Sequence, residues 1–137
     1  MSRFVVLRHQ PGPRSMRGSE VHFDWMFEQG DGLATWATEP VRVPFPRTIQ
    51  IAAQRLVDHR QSYLDYEGPV SGQRGTVQRV LAGNCNITLS SSSEFGASIS
   101  WLSGETENSA AIRFHRTTVA DSLDCDSAIW ELELSRW

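Results

Sequence analysis

The chain holds four histidines, at positions 9, 22, 59 and 115, and three of them stand near other groups that bind metals or phosphates. His22 and Asp24 lie two apart in Val21-His22-Phe23-Asp24-Trp25-Met26-Phe27. In an extended strand alternate side chains share a face, so His22, Asp24 and Met26 fall on one side while Phe23, Trp25 and Phe27 turn into a core. Two ligand-type groups on a rigid strand, backed by three large apolar anchors, are the start of a metal site. His9, at the end of an earlier apolar strand, is the nearest third ligand in sequence. Two imidazoles and one carboxylate suit Mn, Fe(II) or Zn and leave coordination positions open to a substrate. A solvated polar strand face would show the same spacing, so the pattern alone leaves both interpretations standing.

A second cluster runs from Leu56 to Gly68 and gathers His59, Tyr63, Tyr66 and the acids Asp58, Asp65 and Glu67 ahead of a glycine turn. His59 has the titration range of a general acid or of an imidazolium that binds phosphate. If the residues before it form a regular strand, Arg55 shares its face at i−4. A satisfied polar loop is the competing reading. His115, in Arg113-Phe114-His115-Arg116, has no such company and is expected at the surface.

These residues need a scaffold, and the hydrophobic pattern describes one made of strands. Arg3–His9 is β-branched and aromatic, and Val21–Phe27 alternates. Gly30-Asp31-Gly32 is a turn that returns Leu33–Thr38 as a hairpin partner. Pro40, Pro44 and Pro46 carry an extended crossover. Residues 48–57 read as strand, with at most a helical turn. Further strands are expected at 75–81, 85–90, 97–102, 109–115 and 128–134, and residues 10–20 and 90–93 as loops. No segment keeps an i, i+3, i+4 apolar stripe over three turns. The expectation is therefore one all-β domain over residues 1–137, an antiparallel barrel or sandwich of about eight strands with at most short helical turns.

Composition bounds the chemistry. All 13 basic residues are arginine and there is no lysine. That excludes a lysine nucleophile, a Schiff-base amine and a P-loop. Net charge is −3, but the excess is uneven, because residues 1–79 carry ten arginines against eight acids and residues 80–137 three against eight. A local basic face still attracts polyanions, and a guanidinium fork matches phosphate oxygens. The apolar run Phe4–Leu7 is too short for a secretory h-region or a membrane span, and Cys85 and Cys125 form no CxxC. A cytoplasmic protein with two reduced, buried thiols is the expectation.

Taken together, several stretches resemble the 3′-phosphoesterase domain found at the N-terminus of bacterial DNA ligase D proteins and as free-standing relatives. They are Arg3-Phe4-Val5-Val6-Leu7-Arg8-His9, His22-Phe23-Asp24-Trp25-Met26-Phe27-Glu28 and Gly32-Leu33-Ala34-Thr35-Trp36-Ala37. They continue as Val57-Asp58-His59 with Tyr63, Asp65-Tyr66-Glu67-Gly68 and Arg74-Gly75-Thr76-Val77, all in family order. The resemblance covers residues 3–80 and implies a β-barrel with a manganese ion on His9, His22 and Asp24, with His59 and Tyr63 at the scissile phosphate. It further implies trimming of nucleic-acid 3′ ends, by removal of a terminal ribonucleoside and then the 3′-phosphate, so that separate end-joining proteins can seal the strand.

The sequence departs from the family at three polar positions. Met26 replaces an arginine two residues after the metal-binding aspartate, Leu7 replaces a glutamine, and Ile51 replaces an arginine eight residues before His59. Arg14 and Arg17 in the longer loop, or Arg55, are the candidates to replace the missing phosphate cation. Losing such a guanidinium commonly costs a few kcal/mol of transition-state stabilisation, about 1.4 kcal/mol for each tenfold in rate. Metal binding is thus better supported than turnover, and a non-catalytic module that binds nucleic-acid ends or a partner protein is the alternative. An Fe(II) oxygenase fits the short chain poorly, and the faint Arg8-His9 echo of histidine phosphatases would need an α/β fold.

Overall fold

The structure is a computed structural model that describes residues 1–13, 20–117 and 129–137. Nine strands run in chain order: β1 (Ser2–Pro11), β2 (His22–Gln29), β3 (Gly32–Thr38), β4 (Thr48–Arg60), β5 (Gly68–Val70), β6 (Gly75–Ser90), β7 (Glu94–Ser103), β8 (Thr106–Arg116) and β9 (Trp130–Arg136). Among the described residues the only helical element is a 3-10 turn, Gln61–Leu64. Every pairing is antiparallel, and the order β1-β2-β3-β4-β9-β8-β7-β6 closes through a β1–β6 pairing into a ring of eight strands, with β5 added outside on β6. The all-β, barrel-like expectation is met. Among the described residues no helix is long and apolar enough to cross a membrane.

The ring surrounds an aromatic core. Trp36 stacks on Phe114 with centroids 4.3 Å apart and meets Trp130 and Phe27 edge-on. Trp25 packs against Phe45, which the proline crossover carries back over the core. The inward set is the one that alternation demands: Phe23, Trp25 and Phe27 from β2, Ile112 and Phe114 from β8, Leu132 and Leu134 from β9. Truncating a large aromatic in such a core costs about 3–5 kcal/mol. Cys85 joins the core as a free thiol, and burial pushes its pKa up to about 11. Cys125 lies outside the described residues.

Strands β1 to β3 differ from the rest because their outer face is covered as well. Val5, Leu7, Met26 and Leu33 point outward, yet they are buried in a second, smaller core with Leu64 and Val77. This explains why Phe4–Leu7 is a continuous apolar run, since a strand buried on both faces has no polar side. The cover is the segment from the 3-10 turn through β5. It is tied down by Arg3 to Asp65 at 2.6 Å, by Arg79 Nη2 to the Leu64 carbonyl at 3.2 Å and by the Arg79 amide to Glu67 at 3.0 Å.

Two expectations need correction. Residues 75–81 and 85–90 are not separate strands but one strand, β6, which pairs with β1 along its first part and with β7 along its last. Ala82-Gly83-Asn84 looks like a break in sequence, but Gly83 is there for close approach, because a Cβ would lie 2.0 Å from the Ser100 carbonyl oxygen. The second correction concerns β4. Leu33 pairs with His59 and Thr35 with Leu56, so β4 takes three steps where β3 takes two. That bulge reverses the facing of the side chains, and Arg55, opposite the core residue Trp36, does not share a face with His59.

Candidate metal centre and its cavity

The pairing of β1 with β2 sets His9 directly opposite His22 and Leu7 opposite Asp24, all on the covered outer face. One ligand atom from each of His9, His22 and Asp24 lies within 4.8 Å of the others. His9 Nδ1 is 3.4 Å from Asp24 Oδ2, His22 Nε2 is 3.3 Å from Asp24 Oδ1, and the imidazole centroids are 4.7 Å apart. Asp24 is only 1% exposed and His9 only 5%. A buried carboxylate carries a large desolvation cost unless cations or donors surround it.

A backbone carbonyl holds the far nitrogen of each ring. His9 Nε2 lies 2.9 Å from the Arg74 carbonyl oxygen, which only accepts, so Nε2–H donates and Nδ1 faces the Asp24 carboxylate. His22 Nδ1 faces the Glu20 carbonyl in a longer contact of 3.5 Å, and its Nε2 is turned toward Asp24. That Nε2 is buried and makes no hydrogen bond among the described residues, although Asp24 Oδ1 is near. Two imidazoles and a carboxylate that converge on one small volume are donor types that a divalent ion takes. A backbone carbonyl on the far ring nitrogen is the usual outer support of a metal-binding histidine. The donor set therefore fits a divalent ion.

The cluster opens into a cavity of about 1190 Å³ between the outer face of the ring and its cover. His9 and Asp24 line it together with His59, Tyr63, Tyr66, Ser71 and Arg74, and with Arg55, Arg60 and Arg116 at its rim. Four arginines against Asp24 and Asp58 give this lining a local excess of +2 with the histidines neutral, in a chain whose net charge is −3. Met26 belongs to the same lining, so its place on the site face is as expected. Leu7 is buried beside it in the small core, and Ile51 packs against the main core instead.

His59 and Tyr63 meet edge-to-face at 5.7 Å, and Tyr63 meets Tyr66 at 6.0 Å. Tyr66 donates its hydroxyl hydrogen to the Pro69 carbonyl, which fixes the ring. His59 Nδ1 lies 2.9 Å from the Val57 carbonyl, so Nδ1–H donates there and Nε2 is left for a ligand. Arg55 lies over the Trp36 ring at 4.1 Å and pairs with Asp58 at 3.5 Å, so its charge is already engaged at the edge of the core. Arg14 and Arg17 lie outside the described residues.

Two features were hidden from sequence reasoning. The Arg74 carbonyl that orients His9 is a backbone atom, and no side-chain pattern announces it. His115, expected as a lone surface residue, instead sits 3.4 Å from Glu131 and 3.5 Å from Glu133, and these three form a second group with metal-ligand donors. The alternation of Glu131 and Glu133 on β9 was the available signal. No protein-family model matches the chain, and no curated protein matches it.

Proposed function

We propose that this chain is a metal-dependent phosphoesterase-like protein that processes nucleic-acid 3′ ends by removing a terminal 3′-ribonucleoside or 3′-phosphate. The observation that carries this reading is the convergence of His9, His22 and Asp24 beside a cationic cavity that His9 and Asp24 line together with His59 and Tyr63. The sequence resemblance supplies the substrate class, and it favours manganese over zinc or iron. A cavity of this size accommodates a terminal nucleotide, since small-ligand pockets run to roughly 300–1,000 Å³.

A bound divalent ion would polarise a phosphoryl oxygen and lower the pKa of an attacking water. The protein's own groups divide the remaining work. His9 and His22, each held through a backbone carbonyl, would supply imidazole nitrogens, and Asp24 the negative charge that a dication requires. His59, anchored through Nδ1, presents Nε2, which when protonated binds a phosphoryl oxygen or gives its proton to the departing oxygen. For a terminal ribonucleoside, water adds to phosphorus, the bond to that nucleoside's 5′-oxygen breaks and a 3′-phosphate remains; for a 3′-phosphate, the bond to the 3′-oxygen breaks, and a 3′-hydroxyl and inorganic phosphate remain. Sealing of the trimmed strand is left to separate end-joining proteins.

The second reading is a non-catalytic metal-containing module that binds nucleic-acid ends or a partner protein. Met26, 1% exposed, favours it, because an apolar side chain stands where β2 would otherwise aim a cation at the phosphate. A trimming assay separates the two. With Mn²⁺, primers ending in a 3′-ribonucleotide or a 3′-phosphate should be shortened, and His22→Ala should abolish this. Trimming that survives both chelation and His22→Ala contradicts the phosphoesterase reading, and tight end binding without turnover selects the module.

A further inference from the structure

With Met26 on the cavity floor, the phosphate cation must come from another element, and the turn between β5 and β6 carries one. Its residue Arg74 touches the metal cluster through its backbone, since its carbonyl holds His9 Nε2 at 2.9 Å. Its side chain is held as well, with Nε donating to the Ser71 carbonyl at 2.8 Å and Nη2 to Ser71 Oγ at 3.1 Å. Those bonds use two of the five guanidinium N–H donors and leave three for a ligand. The turn is rigidly mounted. Gln73 has a φ of 56° and Gly75 a φ of 109°, and a Cβ on Gly75 would lie 1.9 Å from the Gln10 carbonyl oxygen, so the turn packs backbone to backbone on the end of β1.

We infer that Arg74 is the phosphate-binding cation of this site, aimed into the cavity from the β5–β6 turn in place of the one that β2 lacks. The inference rests on the functional reading above and deepens it. Among the described residues the competing arginines are less well placed. Arg55 is spent on Asp58 and Trp36, while Arg60 and Arg116 stand on the ends of β4 and β8. A guanidinium already fixed at two donors loses little freedom when it grips a phosphoryl group, which suits recognition of a terminal phosphate over a terminal hydroxyl.

The test uses the full chain with Mn²⁺ and two oligonucleotides, one ending in a 3′-methylenephosphonate that resists hydrolysis and one in a 3′-hydroxyl. Arg74→Ala keeps the backbone carbonyl that orients His9, so Mn²⁺ affinity should be unchanged. Preference for the phosphonate end should fall by about 10- to 100-fold. Arg74→Lys, which keeps charge but loses the fork, should fall between. Unchanged preference in Arg74→Ala overturns the assignment and leaves the functional reading intact. Equal loss of Mn²⁺ and end binding also overturns it, because Arg74 would then act only by holding the turn. Wild-type protein with no preference for the phosphonate end would overturn the functional reading and this inference together.

Discussion

The ring carries two clusters with metal-ligand donors on its outer surface, and only one of them is covered. On β1 and β2, His9, His22 and Asp24 converge, with His9 and Asp24 almost fully buried and both histidines held by backbone carbonyls. On β8 and β9, His115, Glu131 and Glu133 are half-exposed, with side chains 21%, 28% and 42% exposed, although His115 Nε2 itself is buried. Their carboxylates already have donors, since Glu131 accepts from Gln50 at 3.0 Å and Glu133 pairs with Arg113 at 3.4 Å. Similar donor atoms thus serve different ends. Buried and preorganised, such donors suit a cation; half-exposed and mutually paired, they form an ion-pair network that water and salt weaken.

The contrast is broken most severely at the mount of the covered cluster. Gly75→Ala places a Cβ against the Gln10 carbonyl at a backbone conformation that alanine avoids, and should cost about 3 kcal/mol or more and remove Mn²⁺ binding. Gly104→Ala, in the β7–β8 turn with nothing within 4 Å, carries only the conformational cost of about 1–2 kcal/mol. Thermal unfolding of both variants checks this.

Metal should separate the clusters next. At 100 times its Kd, Mn²⁺ adds about 2.7 kcal/mol to the folded state, a rise in Tm of roughly 10 °C for a chain of this length. His22→Ala should lose that rise and His115→Ala should keep it. A smaller effect is expected on the solvated face itself, where Arg113→Ala should destabilise by no more than about 1 kcal/mol and the difference should shrink in 1 M salt. The smallest is a titration on the cover. Arg3, hydrogen-bonded to Asp65, holds that carboxyl below the ordinary 3.8, so the contact contributes above the unfolded pKa and is lost as pH falls through the folded one. In Arg3→Ala the Asp65 midpoint, read by NMR, should return to the ordinary range.

Much of this contrast was legible in the sequence. Alternation in Val21–Phe27 placed His22, Asp24 and Met26 on one face, and the apolar run at Phe4–Leu7 ended at His9, which the β1–β2 register sets opposite His22. The bulge in β4 was not legible, because it is set by how β3 and β4 pair, and a single extra residue turned Arg55 to the core side while His59 stayed on the site face. β5 was missed, since Gly68-Pro69-Val70 has the composition of a turn and pairs only with β6. The ion-pair network of His115 depends on register between distant strands, which local pattern does not encode.

The central claim is that one covered cluster, and not the exposed one, holds a divalent ion. Direct counting of bound Mn²⁺ by electron paramagnetic resonance, in wild type, His22→Ala and His115→Ala, tests it. The account predicts one ion per chain in wild type and in His115→Ala and none in His22→Ala. One tightly bound ion retained in His22→Ala, or lost in His115→Ala, would contradict it.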